Sequence, residues 1–348
     1  GAEGEGNWLR KLGAEDAEGL SLGVFKRKFE RPREPCLLKN VISCAFQGES
    51  GERSPSVFQL QNLMKAYPSR LFGVVVPGAS DPPYQVRMTL ANYVHYMTRC
   101  LEDPEMLNDE EYDPLYFFEY QLPDELFEAL NPPTPFFDDD LLAELAASSS
   151  RPIGAQTPNP DKELVSLLDE RRWLVIGPAG SGTRWHTDPH ATSAWNLLLK
   201  GKKLWVLWDS PDGRPPVGVK VIAGEPGVRG EVHEPPSAVR WFEQNLLPSL
   251  QGLSASSAEG SNPDKRRRIS AVSPGSNQNP LLWGIQRAGE VVFVPYGIWH
   301  CVLNLESSVA FTQNFITQVN VREASEELRE HEPELAAELV RLVAQLRS

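Results

Sequence analysis

Between residues 171 and 316 the sequence breaks into many short apolar runs that Gly- and Pro-rich turns separate. Four of these runs close the region, at residues 281–285, 290–295, 300–305 and 309–316. Runs of this length, rich in β-branched and aromatic residues, are typical of strands. Many short strands in succession predict a barrel or a jelly roll. The run at 194–199, the turn at Gly201 and the run at 203–208 read locally as a hairpin-like pair.

A potential metal site lies within this strand-rich region. His186 and Asp188 stand two residues apart, and residues i and i+2 of an extended strand point to the same face. An imidazole and a carboxylate on one face supply two ligands for a divalent metal. His300, which follows a strand and a Pro/Gly turn, is the candidate third ligand. Two histidines and one carboxylate form the triad of non-haem Fe(II) oxygenases.

The composition limits the function classes that remain. The formal net charge of −13 over 348 residues argues against nucleic-acid binding through a basic face. Residues 101–150 contain 15 Asp or Glu and no Lys or Arg, which favours a solvated acidic surface, with an attractive field for a basic peptide as the alternative. The four cysteines form no CxxC pair, which favours a reduced, intracellular protein. No apolar run approaches the ~20 residues that span a bilayer, so no membrane association is expected.

The sequence divides into four predicted parts. Residues 1–24 are expected to form a flexible start, and residues 25–160 an α+β region that packs on the barrel, with a short helix at 122–130. Residues 161–321 form the barrel. A C-terminal helix is expected in 322–348, with Leu335, Leu339, Leu342 and Leu346 at helical spacing. This stripe favours packing on the body of the protein, with a homodimer contact as the less favoured alternative.

The barrel region contains a predicted disordered insertion at residues 251–280. It is rich in Ser, Asn, Gly and Pro and contains the run Lys265-Arg266-Arg267-Arg268. The basic run is consistent with nuclear import, with Ser270 as part of a basophilic kinase site, or with a solvated loop that has no further role.

Seven short motifs resemble a Jumonji C (JmjC) domain, in the order of that family. They are Gly-Ser-Gly-Thr at 180–183, His-Thr-Asp-Pro at 186–189, Thr-Ser-Ala-Trp-Asn at 192–196, Gly-Lys-Lys-Leu-Trp at 201–205, Gly-Glu-Val-Val-Phe-Val-Pro at 289–295, Trp-His at 299–300 and Thr-Gln-Asn-Phe at 312–315. The chain is most similar to the small JmjC lysyl hydroxylases and arginine demethylases. The resemblance covers residues 112–320 apart from the insertion, and extends more weakly back to residue 25.

The resemblance implies a mainly β fold, a double-stranded β-helix of the jelly-roll or cupin type, with flanking helices. It implies Fe(II) held by His186, Asp188 and His300, and 2-oxoglutarate whose C5 carboxylate ends on Lys203 and Thr312. An ammonium and a hydroxyl are suitable partners for that carboxylate.

Four further residues match positions of the family's site. Tyr116 matches a tyrosine that reaches the same carboxylate, Asn196 an asparagine near the chelating end, Thr183 a pocket threonine and Asn304 an asparagine close to the iron. Three of the residues assigned to the co-substrate carboxylate have a structural alternative: Lys203 as a strand-edge lysine, Thr312 as a β-branched strand residue and Tyr116 as a core aromatic.

The reaction that the resemblance implies consumes O₂ and 2-oxoglutarate, gives succinate and CO₂, and oxidises a substrate C–H bond. The same oxidation hydroxylates a carbon or demethylates an N-methyl group. The expected substrate is a Lys or Arg side chain of a basic protein or peptide, in the nucleus and/or the cytoplasm. An RNA hydroxylase that acts on a tRNA base, and a cupin-like metal-binding module without turnover, are the alternatives.

Overall fold

A computed structural model describes residues 9–41, 59–76, 84–103, 113–123, 126, 134–148, 166–209, 215–216, 218–222, 231–233, 237–247 and 281–346. The predicted insertion at 251–280 and most of the helix predicted at 122–130 lie outside these residues.

Two large mixed sheets form the body of the protein. The strands are, in chain order, β1 (Leu9–Lys11), β2 (Gly13–Asp16), β3 (Cys36–Lys39), β4 (Leu71–Val76), β5 (Tyr84–Thr89), β6 (Tyr116–Glu119), β7 (Arg172–Gly177), β8 (Gly182–His186), β9 (Ser193–Lys200), β10 (Lys202–Trp208), β11 (Lys220–Ile222), β12 (Glu231–His233), β13 (Leu281–Arg287), β14 (Val291–Val294), β15 (Trp299–Asn304) and β16 (Ser308–Phe315). The larger sheet has nine strands in the order β2-β3-β14-β9-β16-β7-β6-β4-β5, and the smaller has five in the order β1-β13-β10-β15-β8. β11 and β12 form a separate ribbon. This strand-rich architecture confirms the predicted jelly-roll, cupin-like fold.

Helices flank the sheets. The α-helices are Leu22–Phe25, Leu60–Ala66, Leu90–Glu102, Leu141–Ser148, Ala238–Trp241, Val321–His331 and Pro333–Leu346. Two π-helical turns, Lys26–Glu30 and Phe242–Leu246, extend the first and fifth of these, and two 3₁₀ turns cover Pro135–Phe137 and Pro189–Ala191.

The predicted hairpin around Gly201 is wrong. β9 pairs with β14 and β16 in the large sheet, whereas β10 pairs with β13 and β15 in the small sheet. Gly201 therefore carries the chain from one sheet to the other. It has a φ of +91°, and a Cβ added there would lie 2.5 Å from the carbonyl oxygen of Ser307.

The main apolar core lies between the large sheet and the N-terminal helices, not inside the barrel. Phe25 stacks on Phe136 with ring centroids 4.9 Å apart, and Phe137 stacks on Trp195 of β9 at 5.9 Å. Because this outer core supplies much of the buried apolar area, the space between the two sheets can carry polar residues without loss of the fold.

The two ends of the chain differ from the expectation. Residues 9–16, expected to be flexible, form β1 and β2, which pair in parallel with β13 and β3. Between them, Leu12 is buried against Gly284, which explains why this short segment is ordered. At the C-terminal end the structure has two helices, which meet at Glu332 and Pro333, where one helix was predicted.

The C-terminal helix packs on the body, as the leucine stripe predicted. Leu335, Leu339 and Val343 are buried in one cluster with Leu141 and Leu328 of the neighbouring helices. The stripe proposed for a dimer is thus largely used within the chain.

In the part of the chain that the structure describes, no helix is both long enough and apolar enough to cross a membrane.

We expect Gly201→Ala to lower the free energy of unfolding by roughly 2–4 kcal/mol, because the new Cβ adds a steric clash to a left-handed backbone. Gly218→Ala is the matched control: its φ is +82°, but its Cβ would meet nothing closer than 3.8 Å. Urea unfolding of both variants measures the difference. Equal losses would show that the sheet-to-sheet turn tolerates a side chain.

Candidate functional site

Three side chains predicted as metal ligands converge at one end of the barrel. The potential ligand atoms of His186, Asp188 and His300 all lie within 4.8 Å of one another. The rings of the two histidines are 4.1 Å apart. Within the described residues this is the one group of three or more such side chains close enough to hold a metal ion together.

A β-bulge in β8 brings the first histidine to this site. His186 lies opposite His300, and Thr183 lies opposite Val302, so three residues of β8 advance while β15 advances two. The extra residue lets both Thr183 and His186 face the barrel interior. β8 ends at His186, and Asp188 follows in an extended conformation just before the 3₁₀ turn.

The backbone determines which nitrogen of each imidazole is available. Nδ1 of His186 lies 2.7 Å from the carbonyl oxygen of Arg184, and Nδ1 of His300 lies 3.0 Å from that of Ile298. A carbonyl oxygen only accepts, so each Nδ1 must carry the proton. Each Nε2 therefore keeps its lone pair for a metal.

Burial keeps both histidines neutral. It lowers the pKa of His186 to about 4, with a further contribution from the neighbouring His300, and it lowers the pKa of His300 to about 4. A neutral imidazole is the form that binds a metal.

Asn314 of β16 supports the carboxylate. Its amide nitrogen lies 3.4 Å from Oδ1 of Asp188 and donates to Oγ1 of Thr192 at 3.0 Å. Asn314 was not predicted as a site residue. The available signal was its position two residues after Thr312 on one strand, which places both side chains on the same face.

Lys203 lies buried between the sheets, without an acidic partner in the described part of the chain. It is 2% exposed, and its Nζ lies 3.4 Å from the phenol oxygen of Tyr116. Desolvation lowers the pKa of its ammonium to about 7. A buried cation that no carboxylate of the described chain balances suits an anionic ligand.

Buried polar atoms of three other predicted site residues lack hydrogen-bond partners among the described residues. They are Oγ1 of Thr183, Oδ1 of Asn196 and Oδ1 of Asn304. Thr312, directly opposite Asn196, donates its hydroxyl hydrogen to the carbonyl of Trp195 at 2.9 Å and keeps acceptor capacity. The ammonium of Lys203 and the hydroxyl of Thr183 are donors that suit a carboxylate ligand, whereas the two amide oxygens only accept.

Asn304 does not lie close to the metal ligands, so that part of the expectation is wrong. It faces Lys203, at the end of β15 opposite to His300, four residues or roughly 13 Å of strand away. Its amide donates to Oγ of Ser181 at 2.8 Å. Asn304 therefore remains a candidate to contact an anionic ligand beside Lys203.

Comparison with known proteins agrees with this geometry. No family model matches the chain. The chain is 30% identical to the arginine-specific demethylase JMJ22 of Arabidopsis thaliana over 327 residues, which is 92% of this chain and 50% of that protein. It is also 30% identical to the bifunctional arginine demethylase and lysyl-hydroxylase psr-1 of Caenorhabditis elegans, over 88% of this chain and 61% of that protein.

A third relative matches a shorter stretch. The 2-oxoglutarate and iron-dependent oxygenase JMJD4 of Gallus gallus is 29% identical over 44% of this chain and 28% of its own length. The chain is a homologue of the JmjC oxygenases. The resemblance that the motifs predicted is therefore confirmed. The chain spans about half the length of JMJ22 and about three fifths of that of psr-1.

Two further residues support His300 in this JmjC homologue. The indole of Trp205 stacks on the His300 ring at 6.1 Å, and its Nε1 donates to Oε1 of Gln286 at 2.8 Å. Gln286 is fully buried and donates in turn to the carbonyl of Asn196 at 2.8 Å. Neither was predicted as a site residue: Trp205 was noted only as the end of the motif at 201–205, and Gln286 was not singled out.

We expect Lys203→Met to raise the melting temperature of the ligand-free protein by roughly 2–5 °C at pH 7 or below, because it removes a desolvated charge. Because the folded pKa is depressed, the destabilisation is complete below pH 7. It disappears as the pH rises from about 7 toward the ordinary value of 10.5. The advantage of the variant should shrink across that range, which a series of thermal melts measures.

Lys202→Met is the matched control, since its side chain is exposed and pairs with Glu306. It should leave the melting temperature nearly unchanged. A Lys203→Met variant that is less stable than wild type at every pH would contradict the assignment of Lys203 as an uncompensated buried charge.

Proposed function

We propose that this chain is an Fe(II)- and 2-oxoglutarate-dependent dioxygenase that hydroxylates or demethylates a Lys or Arg side chain of a protein. The observation that carries the proposal is the combination, in one barrel, of the His186–Asp188–His300 group with the isolated ammonium of Lys203. A structural metal site needs no buried cation nearby, whereas a site for an anionic co-substrate does.

In this proposal His186, Asp188 and His300 bind Fe(II), and three ligands leave coordination positions open. Bound Fe(II) and 2-oxoglutarate together supply the activation of O₂ and the oxidation of a substrate C–H bond. The backbone carbonyls that hold each Nδ1 orient the imidazoles before the metal arrives. Asn314 holds the Asp188 carboxylate by its amide.

The chain's other residues would hold the co-substrate. The ammonium of Lys203 and the phenol of Tyr116 would donate to its C5 carboxylate, and the hydroxyl of Thr312 would do so once its hydrogen turns away from the carbonyl of Trp195. Burial raises the pKa of Tyr116, so this phenol stays protonated and remains a donor. Asn196, Thr183 and Asn304 are the remaining candidate contacts, and toward a carboxylate they would act through amide N–H or hydroxyl groups, since the amide oxygens only accept.

The relatives support the choice of substrate class. JMJ22 is named as an arginine demethylase and psr-1 as an arginine demethylase and lysyl-hydroxylase. The RNA-directed alternative gains no support from these names and is disfavoured by the net charge of −13. The alternative of a metal-binding module leaves the buried Lys203 without an explanation.

The acidic stretch at 101–150 supports a basic substrate less than its composition suggests. Asp113 pairs with Arg184 at 2.7 Å, Asp139 with Lys26 at 2.5 Å and Asp140 with Arg171 at 2.5 Å. These carboxylates are thus used to attach the stretch to the rest of the fold. We propose nuclear and/or cytoplasmic location from the basic run at 265–268, which lies outside the described residues.

The test is succinate formation from 2-oxoglutarate with added Fe(II). We expect His186→Ala to reduce turnover by more than about 100-fold, since loss of a ligand exceeds the ~10–100-fold effect of losing a supporting residue. His95→Ala, on an exposed helix face, is the control and should retain full turnover. Wild-type protein that binds iron but forms no succinate would overturn the proposal in favour of the metal-binding module.

The substrate class has its own test. Lys- and Arg-rich peptides, with and without N-methyl groups, are incubated with the active enzyme and analysed by mass spectrometry. We expect the gain of one oxygen atom on Lys or the loss of a methyl group with release of formaldehyde from Arg. Modification of RNA but of no peptide would contradict the protein substrate.

A further inference from the structure

An ion pair joins the N-terminal region to the strand of the first histidine. Nε of Arg184 donates to Oδ2 of Asp113 at 2.7 Å, and the Asp113 carboxylate is almost completely buried. Arg184 is also the residue whose carbonyl oxygen accepts from Nδ1 of His186. Arg184 thus contacts Asp113 through its side chain and orients the His186 imidazole through its carbonyl.

The strand at this point has one neighbour in its sheet. β8 is an edge strand that pairs only with β15 in its sheet, and the bulge interrupts that pairing between Val302 and His300. The neighbouring Trp185 is held by an edge-to-face contact with Trp241 at 4.8 Å. The ion pair with Asp113 restrains the side chain of Arg184, the other residue in the bulge.

A second arginine acts in the same way on the other histidine. Arg33 donates from Nε and Nη2 to the carbonyl oxygen of Tyr296, at 3.2 and 3.0 Å, and its guanidinium lies 4.6 Å from the centre of the Tyr296 ring. Asp209 lies 3.8 Å from Nη2. Arg33 has a φ of +58°, a left-handed conformation that is unfavourable for a non-glycine residue and persists where surrounding contacts enforce it.

The turn that Arg33 holds leads directly to His300. The Tyr296 nitrogen donates to Oγ of Ser193 at 3.1 Å, and the Ile298 nitrogen donates to the carbonyl of Pro295 at 3.3 Å. The carbonyl of Ile298 then accepts from Nδ1 of His300. A shift of this turn would move the carbonyl that orients the second imidazole.

We propose that Asp113 and Arg33 are positioning residues, through which the N-terminal region sets the orientation of both histidine ligands. Each acts on a stretch of backbone whose carbonyl receives one Nδ1–H. The inference rests on the proposed metal site and adds that the site depends on two residues outside the barrel strands.

The test measures Co(II) affinity and the Co(II) absorption spectrum of the full chain. We expect Asp113→Asn and Arg33→Lys each to weaken Co(II) binding by about 10-fold, the effect typical of residues that support metal ligands. Arg33→Lys keeps the charge but loses the two-pronged donation that a guanidinium provides. The visible bands should also change shape, because they depend on ligand geometry, which a general loss of stability would not alter.

Asp139→Asn is the matched control, because Asp139 belongs to the same acidic stretch and also forms a short ion pair, with Lys26 at 2.5 Å. It should bind Co(II) within about 2-fold of wild type. Asp113→Glu keeps the charge and should bind Co(II) better than Asp113→Asn does. It also replaces Asp113→Asn in the test if the asparagine variant does not fold. Variants of Asp113 and Arg33 that bind Co(II) as wild type does, with unchanged spectra, would overturn the inference while leaving the proposed function intact. A wild-type protein that does not bind Co(II) would overturn both.

Discussion

The uncompensated charge of Lys203 is the physical constraint on which the arrangement of the protein interior depends. An ammonium between two sheets is costly unless an anion balances it, and the described chain supplies none. The fold tolerates this cost because its main apolar core lies elsewhere, between the large sheet and the N-terminal helices. The barrel is thereby free to hold a polar pocket that a ligand, and not the chain itself, would complete.

The N-terminal region likewise has separate apolar and charged contacts with the rest of the protein. Its aromatic residues cover the outer face of the large sheet, with Phe25 and Phe137 in contact with Phe293 of β14. Its charged residues form ion pairs with barrel residues, as Asp113 does with Arg184. The region therefore contributes stability through apolar contacts and, by our inference, orientation of the site through a few charged ones.

The chemistry of the site was predictable from the sequence because it depends on residue types at short spacing. The side chains of His186, Asp188 and His300 and the order of the motifs around them were sufficient to predict a metal site and the similarity to JmjC proteins. The strands from 171 onward were also predictable, because β-branched and aromatic runs between Gly/Pro turns are a local signal.

The features that sequence could not supply are non-local. The turn at Gly201 has the same local pattern in a hairpin as in a crossing between sheets, and only the partners of β9 and β10 distinguish the two. The bulge that turns His186 inward leaves no mark in the alternation of β8. Residues 9–16 are ordered because they pair with β3 and β13 and bury Leu12, contacts that are distant in the sequence.

A crystal structure of the chain grown without O₂, with Mn(II) in place of Fe(II) and with 2-oxoglutarate, tests the central claim most directly. The account predicts Mn(II) bound to Nε2 of His186, Nε2 of His300 and the Asp188 carboxylate. It also predicts the C5 carboxylate of 2-oxoglutarate about 2.8 Å from Nζ of Lys203. Metal bound at these ligands while Lys203 remains without an anion, or 2-oxoglutarate bound elsewhere, would contradict it.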